Sequence, residues 1–129
     1  MRFLIRLHLI GNGNMHLKNW SLIYPDRRSA ALSPAYDLVS TIPYMKGEDT
    51  AALNHSRTRK MAEFNVDELR HLAAKALLSE KLVVDTAAET VQRFRQTWQA
   101  EKEHLPLVDS VVEAVETHAP TVPLYSELA

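Results

Sequence analysis

The strongest constraint on the fold is a change of character at Asn65. Beyond it the chain reads as helix almost to its end; before it, short apolar segments are separated by Gly, Pro and polar clusters. Asn65 followed by Glu68 has the form of a capping box, in which the Asn oxygen and the Glu carboxylate each take a free backbone N–H. Leu69, Leu72, Ala73, Ala76 and Leu77 then recur at helical spacing. Ser79 is placed to cap a long second helix running to about His104, with Leu82, Val83, Thr86, Thr90, Phe94, Thr97 and Trp98 along its face. A third helix is expected from Pro106 to His118, with Pro in the first turn, where its missing N–H costs nothing. The last stretch, "APTVPLYSELA", reads as a tail.

In the first half, Phe3, Leu4, Leu7, Leu9 and Ile10 form a helical apolar face that Gly11 and Asn12 end. The run is interrupted by Arg6 and His8 and is far too short for a membrane span. "WSLIY" alternates as a short strand does, "PDRRS" supplies a turn, and "AALS" returns as a second strand. Tyr44 to Arg59 reads as loop. The expected fold class is therefore mainly α with a short β-hairpin, in one domain of 129 residues. A net charge of −1 points away from direct nucleic-acid binding, which needs a basic face. The absence of cysteine removes disulfides and thiolate metal sites and fits a cytoplasmic chain.

The chemistry concentrates in "GNGNMHLKN", Gly11 to Asn19. Its glycines do not complete GxGxxG or GxxxxGK[ST], so it is not a phosphate-cradling loop on its own. None of the six histidines stands in HxxxH or HExxH spacing, which leaves zinc poorly supported. Asn19 precedes the hairpin and Asp37 follows it, so a chain that folds back would bring an amide oxygen and a carboxylate together. Such a pair suits Mg²⁺ shared with phosphate, with N–H donors from His16 and Lys18 beside it. The plain alternative is a turn Asn and an Asp that bond local backbone.

"IGNGNMHLKNWSLIY…LSPAYDLVSTIPY" resembles the catalytic segment of HipA-type serine/threonine kinases, the toxin kinases of bacterial toxin–antitoxin systems. The family motif is D-x-H-x-K-N, then a hairpin, then Tyr-Asp. The resemblance implies the C-terminal lobe of a HipA-like kinase over residues 1–129. Residues 1–43 would carry the catalytic loop, hairpin and metal-binding segment, and residues 65–118 the helical part. It implies ATP and Mg²⁺ as cofactors, Asn19 and Asp37 as metal ligands, and His16 and Lys18 near the transferred phosphate. It also implies transfer of the ATP γ-phosphate to a protein Ser or Thr.

Two departures stand out. Position 14, where the family has the catalytic Asp, is Asn14, which has no carboxylate to take the substrate proton. The chain is also expected to start within the helix before the catalytic loop, without the N-terminal lobe and its phosphate-covering loop. Both imply a catalytically deficient chain, a pseudokinase. The alternatives are a non-catalytic binding protein that engages an antitoxin or a full kinase, half of a split kinase whose N-lobe comes from another chain, or a truncated gene product with no selected role. The split form would leave apolar surface exposed near Phe3, Leu7 and Leu9.

Overall fold

The computed structural model describes residues 1–129. Helix α1 spans Arg2–Leu9, strands β1 Leu22–Ile23 and β2 Ala31–Leu32 form the hairpin, and four helices follow: α2 Val66–Lys75, α3 Glu80–Glu101, α4 Asp109–His118 and α5 Leu124–Glu127. Short 3₁₀ turns lie at Leu17–Asn19, Met61–Glu63 and Ala119–Thr121. The architecture is thus mostly helical with one two-stranded antiparallel sheet, Leu22 facing Leu32 and Ile23 facing Ala31. No helix is long and apolar enough to cross a membrane.

Helix α1 is the centre of the core. Leu4, Ile5, Leu7, His8 and Leu9 are all buried on its faces, and α1 and α2 both pack on α3. Phe64, Met61 and Leu69 close the core from one side, and Val83, Ala87 and Val91 of α3 from another. Burial of this kind stabilises by roughly 25 cal/mol per Å² of apolar surface taken out of water and is the main force holding α1 in place. Leu7 and Leu9 are therefore covered, so the exposed apolar surface that would favour the split-kinase alternative is not found at those two residues, and of the three Phe3 alone is partly open.

The α1 terminus explains how the chain enters the polar cluster. Gly11 takes a left-handed conformation, φ +65°. Its N–H reaches the carbonyl of His8 and the N–H of Asn12 reaches that of Leu7. Those two bonds make a Schellman cap. A side chain at Gly11 would also collide with Ile42, whose Cδ1 lies 2.5 Å from the place a Cβ would occupy.

Several local expectations change. Asn65 does cap α2, accepting the N–H of Glu68 at 2.9 Å. Glu68 does not reciprocate: its carboxylate takes the backbone N–H and side chain of Arg57, at 3.0 and 2.8 Å, and pins the preceding loop to α2. Leu77 is not on the α2 core face. It sits at φ +55° in a second Schellman cap, with Leu78 N–H bonded to the Ala73 carbonyl, and is 94% exposed. Ser79 caps α3, but α3 ends at Glu101, and the buried face is Val83, Ala87, Thr90 and Val91, with Leu82 outside. Helix α4 starts at Asp109; Pro106 lies in the turn before it and Val108 is extended. The supposed tail is packed structure, since Val122 and Leu124 are fully buried against the core.

Candidate functional site

The hairpin is short because its strands pair over two residues each, and its turn is built by Asp26. That carboxylate accepts the backbone N–H of Ser29 at 2.7 Å, the N–H of Arg28 at 2.9 Å and the Ser29 hydroxyl at 2.8 Å. The same bonds, those from Ser29 first, hold the Asp26 carboxyl down to about 2. A second tie joins the strands' outer ends: Ser21 Oγ and the Tyr36 hydroxyl are 2.5 Å apart, and Tyr36 also donates to the Lys18 carbonyl at 3.2 Å.

With the hairpin closed, the residues that flank it meet. Asn19 Nδ2 donates to Asp37 Oδ2 at 2.6 Å and to the Asn14 carbonyl at 3.0 Å. Asp37 is held from behind, because the buried Asn12 amide donates to its carbonyl at 3.3 Å. Asp37 also adopts a left-handed backbone, φ +56°. That conformation is tolerated by Asp better than by most side chains. Because Asn19 uses its nitrogen for both bonds, its Oδ1 makes no protein hydrogen bond. The two side chains are thus in contact through the amide nitrogen, while the amide oxygen and the second carboxylate oxygen are the hard oxygen donors that this pair has to offer a divalent cation.

Of the remaining sequence-picked residues, His16 and Lys18 are exposed beside this pair, and neither side chain makes a hydrogen bond or ion pair. Asn14 is half-buried; its carbonyl serves Asn19, and its side chain is likewise unengaged. The structure adds residues that motif reading passed over. Thr41 Oγ1 accepts the Gly13 N–H at 2.9 Å and lies 2.5 Å from Glu48 Oε2, while the backbone N–H groups of Thr41 and Ile42 bond to the Gly11 carbonyl. Asn12 stands between two glycines in the sequence, and its burial is visible only in the fold; Thr41 and Glu48 had no sequence signal, lying in a stretch without periodicity.

The relationships to known proteins follow the same outline. The model of the HipA-like C-terminal domain matches residues 1–98. A putative kinase of Sinorhizobium fredii, Y4dM, is 69% identical over all 129 residues, which make up 32% of that protein. A second S. fredii putative kinase, Y4mE, is 32% identical over 92 residues, 66% of this chain and 22% of its own length. The chain thus spans about a third or less of these relatives. Among solved structures, HipA in the toxin–antitoxin complex of Shewanella oneidensis with HipB and operator DNA superposes with a TM-score of 0.74. The match covers 98% of this chain and 29% of that one at 21% identity, a likeness of fold. By the family match and by its architecture, this chain belongs to the HipA-like C-terminal domain family.

Proposed function

We propose that this chain is the metal- and phosphate-handling part of a HipA-like kinase lobe. Residues 1–43 form the site segment and residues 65–118 its helical support. Asn19 Oδ1 and the Asp37 carboxylate hold Mg²⁺ on the phosphates of ATP, and His16 and Lys18 lie near the transferred phosphate. Bound Mg²⁺ would neutralise phosphate charge and align the phosphates for transfer to a protein Ser or Thr. The observation that carries this reading is that closure of the hairpin brings the Asn19 and Asp37 side chains into contact, with Asn19 Nδ2 bonded to Asp37 and to the Asn14 carbonyl and Asn19 Oδ1 left without a protein partner. Nowhere do three or more His, Asp or Glu side chains converge, so phosphate and water oxygens would complete the coordination.

Asn14 keeps the loop geometry through its carbonyl but has no carboxylate to accept the substrate proton. The chain as it stands is therefore a poor catalyst, and Asn14→Asp in a completed cleft should raise phosphoryl transfer by about 10²- to 10⁴-fold. A partner-completed cleft is favoured by one observation: large apolar side chains are exposed around the site, including Leu22, Leu32, Tyr24 and Tyr44 at 61%, 60%, 55% and 70%. Surface of that kind marks an interface. Its occupant is either a kinase N-lobe or an antitoxin; the Shewanella HipA is itself in a toxin–antitoxin complex with HipB.

The test is thermal unfolding with Mg·ATP, in the chain and in Asn19→Ala and Asp37→Ala. Ligand at ten times its dissociation constant adds about 1.4 kcal/mol, a rise of a few degrees. The reading expects that rise and its loss in both variants. No rise at several millimolar Mg·ATP, or a rise that both variants keep, would overturn it.

A further inference from the structure

We propose that Glu48, acting through Thr41, is a positioning residue that holds the Asn14-to-Asn19 loop in register with Asp37. This rests on the reading of Asn19 and Asp37 as the metal pair, and it extends that site to a segment eleven residues beyond Asp37.

The geometry is a clasp. Thr41 has one hydroxyl proton and two acceptors in reach, Glu48 Oε2 at 2.5 Å and the Gly11 carbonyl at 3.2 Å. The nearer acceptor carries the charge and takes the proton, since charge-assisted bonds are the stronger ones. That fixes the hydroxyl rotor and turns a lone pair toward the Gly13 N–H, 2.9 Å away. Glu48 also lies directly over Gly13, where a Cβ would come within 2.1 Å of the Glu48 Cδ. The Gly11 carbonyl is taken from the same side by the N–H groups of Thr41 and Ile42. Gly13 adjoins Asn14, whose carbonyl anchors Asn19.

The two halves of the metal pair come from segments separated by the whole hairpin, and the hairpin strands pair over only two residues each. Such a sheet is too small to set their spacing by itself. From behind, the halves are joined by the Gly13 N–H on Thr41 Oγ1, by the Thr41 and Ile42 N–H groups on the Gly11 carbonyl and by Asn12 on Asp37, beside the Tyr36 tie to Ser21 and Lys18. Glu48 holds the Thr41 hydroxyl within that join. Glu48 touches neither half of the metal pair. Its carboxylate charge is what selects the rotor, so Glu48→Gln, nearly the same shape, should release it. The amide can instead donate to Thr41, which then turns its proton to Gly11.

The experiment is ¹⁵N NMR of the ligand-free chain, with Mn²⁺ binding followed separately. The variants are Glu48→Gln, Thr41→Val and Thr41→Ser, with Asp37→Ala as reference. Hydrogen exchange at the Gly13 amide should quicken by about tenfold in Thr41→Val, where its acceptor is lost, and by a smaller factor in Glu48→Gln, where the acceptor stays but its rotor is freed. The Asn19 side-chain amide signals should move toward those of Asp37→Ala, while α3 amides stay put. Thr41→Ser should keep wild-type behaviour, and Mn²⁺ affinity should follow the Asn19 signals. Unchanged Gly13 and Asn19 signals in Glu48→Gln would overturn the proposal. Responsive signals in a wild-type chain that binds no Mn²⁺ would keep the clasp and overturn the metal reading alone.

Discussion

Acidification should weaken this fold through one histidine. His8 lies inside α1, 2% exposed, with its ring stacked on Phe64 at 4.0 Å and its Nδ1 2.9 Å from the Leu4 carbonyl. Burial, with His55 and His118 as neighbouring basic groups, pushes its pKa down to about 4, against an opposing pull from the Leu4 carbonyl. The unfolded chain keeps the ordinary value of 6.5, so between 6.5 and 4 it binds more protons than the native state. Stability is therefore fully present above pH 6.5 and is lost as pH falls toward 4. A difference of 6.5 minus 4, at about 1.36 kcal/mol per pH unit, is worth about 3 kcal/mol. That is a large share of the roughly 5–15 kcal/mol available to a domain. His55 is pushed down to about 4 by burial as well, but it is only partly buried and adds less. The assay is urea unfolding from pH 7 to 4.5 for the chain and for His8→Leu, so that carboxylate effects common to both cancel. The wild-type chain should lose more stability than the variant, by about 2–3 kcal/mol over that range. Equal slopes, or a His8 ring titrating near 6.5 by NMR, would refute the argument.

The two left-handed helix caps should respond in opposite directions. Leu77→Gly should raise stability by about 0.5–1 kcal/mol, because Leu77 stands at φ +55°, is 94% exposed and loses no packing; urea midpoints would show it. Gly11→Ala should cost more than about 1 kcal/mol, from the positive φ and the collision with Ile42, and lower the melting temperature by several degrees. Asn65→Ala should cost about 1 kcal/mol by removing the α2 cap, measured by urea unfolding, with the Glu68–Arg57 contact left in place.

Much of the fold was readable in the sequence because it is locally encoded. Asn65 and Ser79 cap the helices they announce, and α1 stops at the glycine that ends its apolar face. The errors fall where a residue's partner is distant. Glu68 looked like a helix cap and instead secures Arg57, ten residues or more back along the chain. Leu77 fitted helical spacing but lies past the helix end, since spacing carries no sign of φ. The proline-rich C-terminus looked like a tail, yet its few apolar side chains fill the last gap beside α3.

The site divides in the same way. The motif from Asn14 to Asn19, and the Asp beyond the hairpin, are strings of residue types whose chemistry can be named without coordinates. That Asn19 spends its amide nitrogen on Asp37 and Asn14, and so leaves its oxygen free, is a matter of orientation that only packing decides. Thr41 and Glu48 carry no motif, and became visible only when the segment after Asp37 folded back over Gly13. Helix and turn signals act over a few residues and are therefore written locally. The register between two halves of a site is set by contacts across the hairpin, and those exist only once the chain has folded around α1.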